Sequence, residues 1–124
     1  MYRFYFEKLE VWKDSIEFIK FIYIFTKHFP EEEKFGMTSQ IRRASVSIST
    51  NISEGSSRST KKDQANFTNM AYTSLMETMN LIIVAYEFGY IKNNDYESMR
   101  AVVEKIANKL NALYRVQLRE SMKK

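Results

Sequence analysis

No cysteine occurs in the 124-residue chain, which excludes disulfide bridges and thiolate metal sites and suits a reducing cytoplasm. Glycine occurs three times and proline once, too seldom for a sheet protein built on tight turns. No long hydrophobic run is present. The greasiest stretch, Ile16 to Phe25, holds Glu17 and Lys20 and is shorter than the ~20 apolar residues that span a bilayer, so no membrane partner is expected. Residues 1–14 alternate charges and aromatics, unlike a signal peptide. The single histidine, His28, does not stand three residues after a glutamate. That removes the Glu-x-x-His pairs of a di-iron bundle and leaves a serine nucleophile without a base. Neither a metal nor a cofactor is expected, and His28 reads as a surface residue near a helix C-terminus, where a cation is favourable.

What the chain has in plenty is helical periodicity. Leu9, Trp12, Ile16, Ile19 and Tyr23 recur at three and four and predict an apolar stripe on a helix over about 9–28. Phe18, Phe21, Ile22, Phe25 and Phe29 widen that stripe to a second face, and Pro30 stops the helix. A second helix over 38–54 opens at Thr38 as N-cap, carries Ile41, Ala44, Ile48 and Ile52, and ends at Gly55 as a left-handed stop. Its serines, Ser45, Ser47, Ser49 and Ser53, permit close helix approach. A third helix over 60–88 follows Ser59 or Thr60, places Asp63 in its first turn and closes at Gly89. Its inward candidates are Phe67, Met70, Ala71, Ser74, Leu75, Thr78, Leu81, Ile82 and Ala85. A fourth over 94–120, capped by Asn93 or Asn94, carries Met99, Val103, Ile106, Leu110 and Leu113 as its seam. Long helices with short joints predict one all-α domain over residues 1–124, an antiparallel up-down-up-down four-helix bundle. Aromatics make up 15% of the chain, so either the core is unusually aromatic or a second apolar surface is covered by another subunit.

Charge is uneven. Residues 34–62 hold six Lys and Arg against Glu54 alone, and residues 100–124 hold seven against Glu104 and Glu120. The segments between them are acidic, so part of the surface is suited to a polyanion; the plain alternative is mixed charge that keeps the helices soluble. Arg42, Arg58, Lys61, Lys62, Lys109, Arg115 and Arg119 are the candidate contacts to nucleic-acid phosphates. The joint from Glu54 to Lys62 leads into a helix N-terminus, whose free N–H groups attract anions, but it lacks the spacing of a Walker loop. The plain alternative is a glycine cap, a serine joint and an N-cap. On the second helix Arg43, Ser47, Asn51 and Glu54 share one face, and Glu77 is a partner for the arginine. Arg43, Asn51, Glu54 and Glu77 are therefore expected as a structural polar network around a buried Arg–Glu pair that fixes helix register, with a polar pocket as the other reading. An enzyme using Glu54 and Glu77 as a carboxylate pair would need both close together and open to solvent.

Three stretches carry a resemblance: Phe35-Gly-Met-Thr-Ser-Gln-Ile-Arg-Arg-Ala44, Ser47-Ile-Ser-Thr-Asn-Ile-Ser-Glu-Gly55 with Arg58, and Ala71-Tyr-Thr-Ser-Leu-Met-Glu77. Leu9-Glu-Val-Trp12 and Phe29-Pro30 before the glutamate run fit as well. The chain resembles the four-helix-bundle proteins encoded in intervening sequences of bacterial 23S rRNA genes. It is also similar to the accessory variability protein of diversity-generating retroelements. The resemblance covers nearly the whole chain and implies a bundle that assembles as a ring, typically a homopentamer. Arg43, Asn51, Glu54, Gly55, Arg58 and Glu77 stand where the family pattern has them. The expectation that follows is a cytoplasmic, non-enzymatic oligomer that binds RNA phosphates through a basic surface. The alternative is an interaction scaffold that docks a nucleic-acid enzyme such as a reverse transcriptase.

Overall fold

Four segments with three–four apolar spacing become four long helices in the computed structural model, which describes residues 1–123: α1 (Glu10–Thr26), α2 (Met37–Ser56), α3 (Lys61–Glu87) and α4 (Asn93–Ser121). A short 3-10 turn, Tyr5–Lys8, precedes α1, and another, Glu31–Glu33, lies between α1 and α2. No strand occurs among the described residues, and none of their helices is long and apolar enough to cross a membrane.

Side-chain pairings fix the topology. The end of α1 meets the start of α2 where Arg42 Nε donates to Thr26 Oγ1 at 2.8 Å. The hydroxyls of Ser47 on α2 and Ser74 on α3 lie 2.9 Å apart. Thr68, early in α3, donates to Gln117 Oε1, late in α4, at 2.6 Å. Lys109, on the later half of α4, donates to Asp14 Oδ2 near the start of α1 at 2.6 Å. Each helix thus runs opposite to its neighbours, an up-down-up-down four-helix bundle.

The core is a column of branched aliphatics with one fully buried phenylalanine. Phe18, Ile22, Ile41, Ile48, Leu75, Ile82, Ile106 and Leu110 are all fully buried. Cutting one such Leu or Ile to Ala costs about 2–5 kcal/mol, because the cavity adds to the lost transfer energy. The closest packing is between α2 and α3, and the lightest is between α1 and α4. Small residues explain the difference. Ala44 and Gly55 on α2 and Ala71 and Ser74 on α3 are small and buried, on the faces where Gly55 meets Phe67 and Ser47 meets Ser74. A Cβ added at Gly55 would lie 2.7 Å from Phe67 Cβ, closer than two carbons can approach. Gly55 is therefore a point of backbone approach inside α2, not the left-handed stop expected of it. Among the described residues only Gly89 has positive φ, at 82°. There the Tyr90 N–H returns to Ala85 O at 2.9 Å and closes α3.

The helix starts differ from expectation in ways the side chains explain. α2 begins at Met37, one residue before Thr38, because Glu33 Oε1 accepts the Met37 N–H at 3.2 Å and replaces the hydroxyl cap. Thr60 does cap α3, accepting the Asp63 N–H at 3.1 Å. Neither Asn93 nor Asn94 caps α4. Asn93 Oδ1 instead accepts the Tyr86 hydroxyl at 2.7 Å. The inward face of α1 is also turned from the expected stripe. Val11, Ser15, Phe18, Ile22 and Thr26 are buried, while Tyr23 is exposed. A helix apolar on two sides leaves periodicity without a basis for choice. Ser15 and Thr26 settle it because they are small and bond their own backbone, to Trp12 O at 2.6 Å and Ile22 O at 2.7 Å. Met70, expected inside α3, is exposed.

Candidate nucleic-acid interface

An antiparallel bundle brings the C-terminal ends of α2 and α4 beside the N-terminal ends of α1 and α3. Two sequence regions rich in Lys and Arg therefore meet. Arg58 follows α2, Lys61 and Lys62 open α3, and Arg115 and Arg119 lie in the last turns of α4. All five are exposed. The Lys61 ammonium, 3.3 Å from Glu120 Oε2, ties the start of α3 to the end of α4. Lys62, Arg115 and Arg119 form no ion pair with a described carboxylate.

Local structure holds the joint. The Arg58 guanidinium sits 4.4 Å from the centre of the Phe67 ring, on the residue that Gly55 packs against. Gln64 Nε2 donates to Arg58 O at 2.9 Å. Behind it a cleft of about 260 Å³ is lined by Tyr5, Ser56, Lys61, Gln64, Gln117 and Glu120, among others. The first turn of α3 adds helix-dipole potential of the sign that attracts phosphate.

Two of the seven candidate cations lie elsewhere. Arg42 is bound at the α1–α2 seam, where its Nη2 also donates to Tyr23 O at 3.3 Å and the guanidinium covers the Tyr23 ring. Lys109 is held between Asp14 and Glu10, which hold its ammonium pKa above the ordinary lysine value through the hydrogen bonds they accept. Its charge is spent on joining α4 to α1. Sequence clustering found the cations but had no view of the carboxylates across the bundle.

The expected Arg–Glu network does not form. Arg43, Glu54 and Glu77 are exposed and, among the described residues, share no ion pair. Small residues hold α2 and α3 too close for an arginine and a glutamate between them. Hydroxyls and an amide take that place. Asn51 Nδ2 donates to Ser47 O at 2.9 Å and to Ser47 Oγ at 3.1 Å, and Ser47 Oγ pairs with Ser74. Gly55 opposes Phe67, ten residues before Glu77 on α3, so Glu54 and Glu77 are separated by about 15 Å of helix rise. That is beyond the spacing of a catalytic carboxylate pair. His28 is exposed, and no group of three or more metal-binding side chains converges among the described residues. The pairing of Thr68 with Gln117 and the Ser47–Ser74 contact have no signature in the sequence, since lone polar residues in an apolar stripe carry no sign of their partner.

A family model for the 23S rRNA-intervening sequence protein matches residues 7–112. A crystal structure of a protein of unknown function from the S23 ribosomal protein family of Bacteroides thetaiotaomicron is similar, with a TM-score of 0.78 at 28% identity. That match covers 84% of this chain and 97% of the other. No curated protein matches the sequence.

Proposed function

The chain belongs to the 23S rRNA-intervening sequence protein family, and from that premise we propose that it is a non-enzymatic, cytoplasmic module that binds RNA phosphates. The observation that carries this reading is the convergence of Arg58, Lys61, Lys62, Arg115 and Arg119 on one end of the bundle. Such contacts position a chain of phosphates without reading its sequence. The module acts as a homo-oligomer, pentameric by family resemblance, so the basic end is repeated around the assembly. Phe21, Tyr23 and Ile24 on α1 are exposed and supply apolar surface for that contact.

The test is RNA affinity measured against salt concentration. Each phosphate neutralised contributes about −0.7 to the log–log slope for a single strand and about −0.9 for a duplex. Lys62→Ala and Arg115→Ala each lower the slope by roughly one contact. Absence of binding at low salt, or binding with a flat slope, rejects the proposal. Light scattering tests the assembly. A pentameric mass that Ile24→Asp reduces is expected, and a monomer at working concentration removes the oligomer from the reading.

A second reading, a scaffold for a nucleic-acid enzyme, draws on Val46, Met70, Met76 and Ile83, exposed apolar side chains on α2 and α3. Stoichiometric co-purification with such an enzyme after nuclease treatment favours it over the first.

A further inference from the structure

The segment before α1 places aromatic rings at the basic end. Tyr2, Phe4 and Tyr5 are 77%, 58% and 66% exposed, an unusual share for side chains of that size. They are not loosely held. Tyr2 meets Phe4 edge to face at 5.2 Å between centroids, and Phe4 lies parallel to Phe6 at 6.2 Å. Phe6 in turn packs edge-on against Trp12 of α1 at 5.3 Å, which anchors the ladder to the bundle. A reciprocal pair of bonds locks the backbone. The Phe4 N–H donates to Glu7 Oε2 at 2.8 Å, and the Glu7 N–H donates to Phe4 O at 3.1 Å.

The ladder adjoins the cations. Phe4, Tyr5 and Phe6 line a cleft with Ser53, Ser56 and Ser57, immediately before Arg58. Tyr5 also lines the neighbouring cleft with Lys61 and Gln64. Arg3 stands between Tyr2 and Phe4 in the chain, and both Arg3 and Lys62 are exposed without an ion pair to a described carboxylate. Of the acidic groups nearby, Glu7 is engaged in its backbone bond and Glu120 with Lys61, while Glu54 on the cleft rim and Asp63 beside Lys62 are exposed.

From this juxtaposition we infer that the aromatic ladder and the adjoining cations form one surface for single-stranded RNA. Unpaired bases stack on Tyr2, Phe4 and Tyr5 while phosphates meet Arg3, Arg58 and Lys62. The inference rests on the phosphate-binding reading above and adds the class of nucleic acid. Duplex RNA keeps its base faces inside the helix and has no use for exposed rings, whereas a single strand offers a π-face at every base. Rings already ordered by their neighbours lose little conformational freedom when a base lands on them.

The test compares an oligoadenylate with a duplex RNA of equal length, using the full chain and the Tyr2→Ala/Phe4→Ala variant. The parent is expected to prefer the single strand. The variant loses roughly ten-fold of its single-strand affinity, with its duplex affinity and its melting temperature unchanged. Lys62→Gln is the contrast and weakens both RNAs. Equal parent affinity for the two RNAs, or a variant that keeps the preference, overturns this inference and leaves phosphate binding standing. A variant whose assembly mass falls and whose RNA preference persists assigns the ladder to a contact between copies, and overturns it as well. A parent that binds neither RNA removes the proposed function and this inference together.

Discussion

The two ends of the bundle differ in how far their polar groups answer one another. At the end where α1 and α3 finish, a cluster of rings and polar groups pairs internally, although Phe35 and Phe88 there are 91% and 61% exposed. Tyr86 stacks on Tyr96 at 3.9 Å between centroids and donates to Asn93, Tyr90 donates to Glu33 Oε2 at 3.1 Å, and Glu33 caps α2. Phe29 is buried against Tyr90 at 5.5 Å. At the other end Lys62, Arg115 and Arg119 have no such internal partner among the described residues, and Tyr2, Phe4 and Tyr5 lie open. A closed end stabilises the fold. An open end keeps charge and ring faces for something else. The contrast teaches that the sum of charge, +4 over the chain, says less than where charge goes unanswered.

The largest expected effect falls at the closed end. Phe29→Ala removes a buried ring from between the α1–α2 joint and Tyr90, and is expected to cost about 3 kcal/mol. Urea unfolding measures that loss, and RNA affinity of the folded variant is expected to match the parent. A comparable drop in affinity would show that the two ends are not independent. Next comes Gly55→Ala at the open end. Alanine gains up to about 1 kcal/mol in a helix interior, but overpacking costs about 1–3 kcal/mol. The clash is with Phe67 Cβ, the root of a side chain, so relief requires backbone movement. Overpacking wins, and a net loss of about 1–2 kcal/mol is expected. Because Phe67 carries Arg58, RNA affinity is expected to fall too. A Gly55→Ala protein more stable than the parent would break the account of close approach.

How much of this was legible in sequence follows from what each signal depends on. Ile41, Ala44, Ile48 and Ile52 lie buried as their spacing indicates, because helix α2 has a single apolar stripe and periodicity then has one answer. Helix α1 has two, and the outcome turned on Ser15 and Thr26, which hydropathy reads as weak positions. Gly55 stands out in the sequence, but a sequence cannot distinguish a glycine that needs positive φ from one that needs room. The cations were all visible, but Lys109 is answered by Asp14 from ninety-five residues away, a separation no local pattern spans. The Arg43–Glu77 pair failed because charge complementarity ignores the distance between backbones, which the small residues had already set.

A smaller effect separates capping from packing at the open end. Thr60→Ala removes the hydroxyl that accepts the Asp63 N–H, and is expected to cost about 1 kcal/mol. Amide exchange should quicken in the first turn of α3 and not in α2. If RNA contacts Lys61 and Lys62 as proposed, bound RNA restores that protection in the variant. Protection unchanged on RNA binding would argue that the start of α3 lies outside the interface.

The smallest effect tests the closed end through pH. Partial burial, then the hydrogen bond and charge of Glu33, with Glu32 beyond, raise the Tyr90 hydroxyl pKa above the ordinary tyrosine value. A folded pKa above the unfolded one means that the contribution is whole below about pH 10, where an unfolded tyrosine titrates, and is lost as pH rises through the folded value. The protein thus loses stability at alkaline pH because a Tyr90 phenolate would face the carboxylate it now bonds. Lys109, also raised, weakens in the same window, so part of the alkaline loss persists without Tyr90. Tyr90→Phe should be slightly less stable than the parent at neutral pH, and the gap should narrow as pH climbs past about 10. Paired urea melts across that range measure the gap. A gap of constant size would mean that the Tyr90–Glu33 bond contributes nothing that titrates, and that the closed end is held by its rings alone.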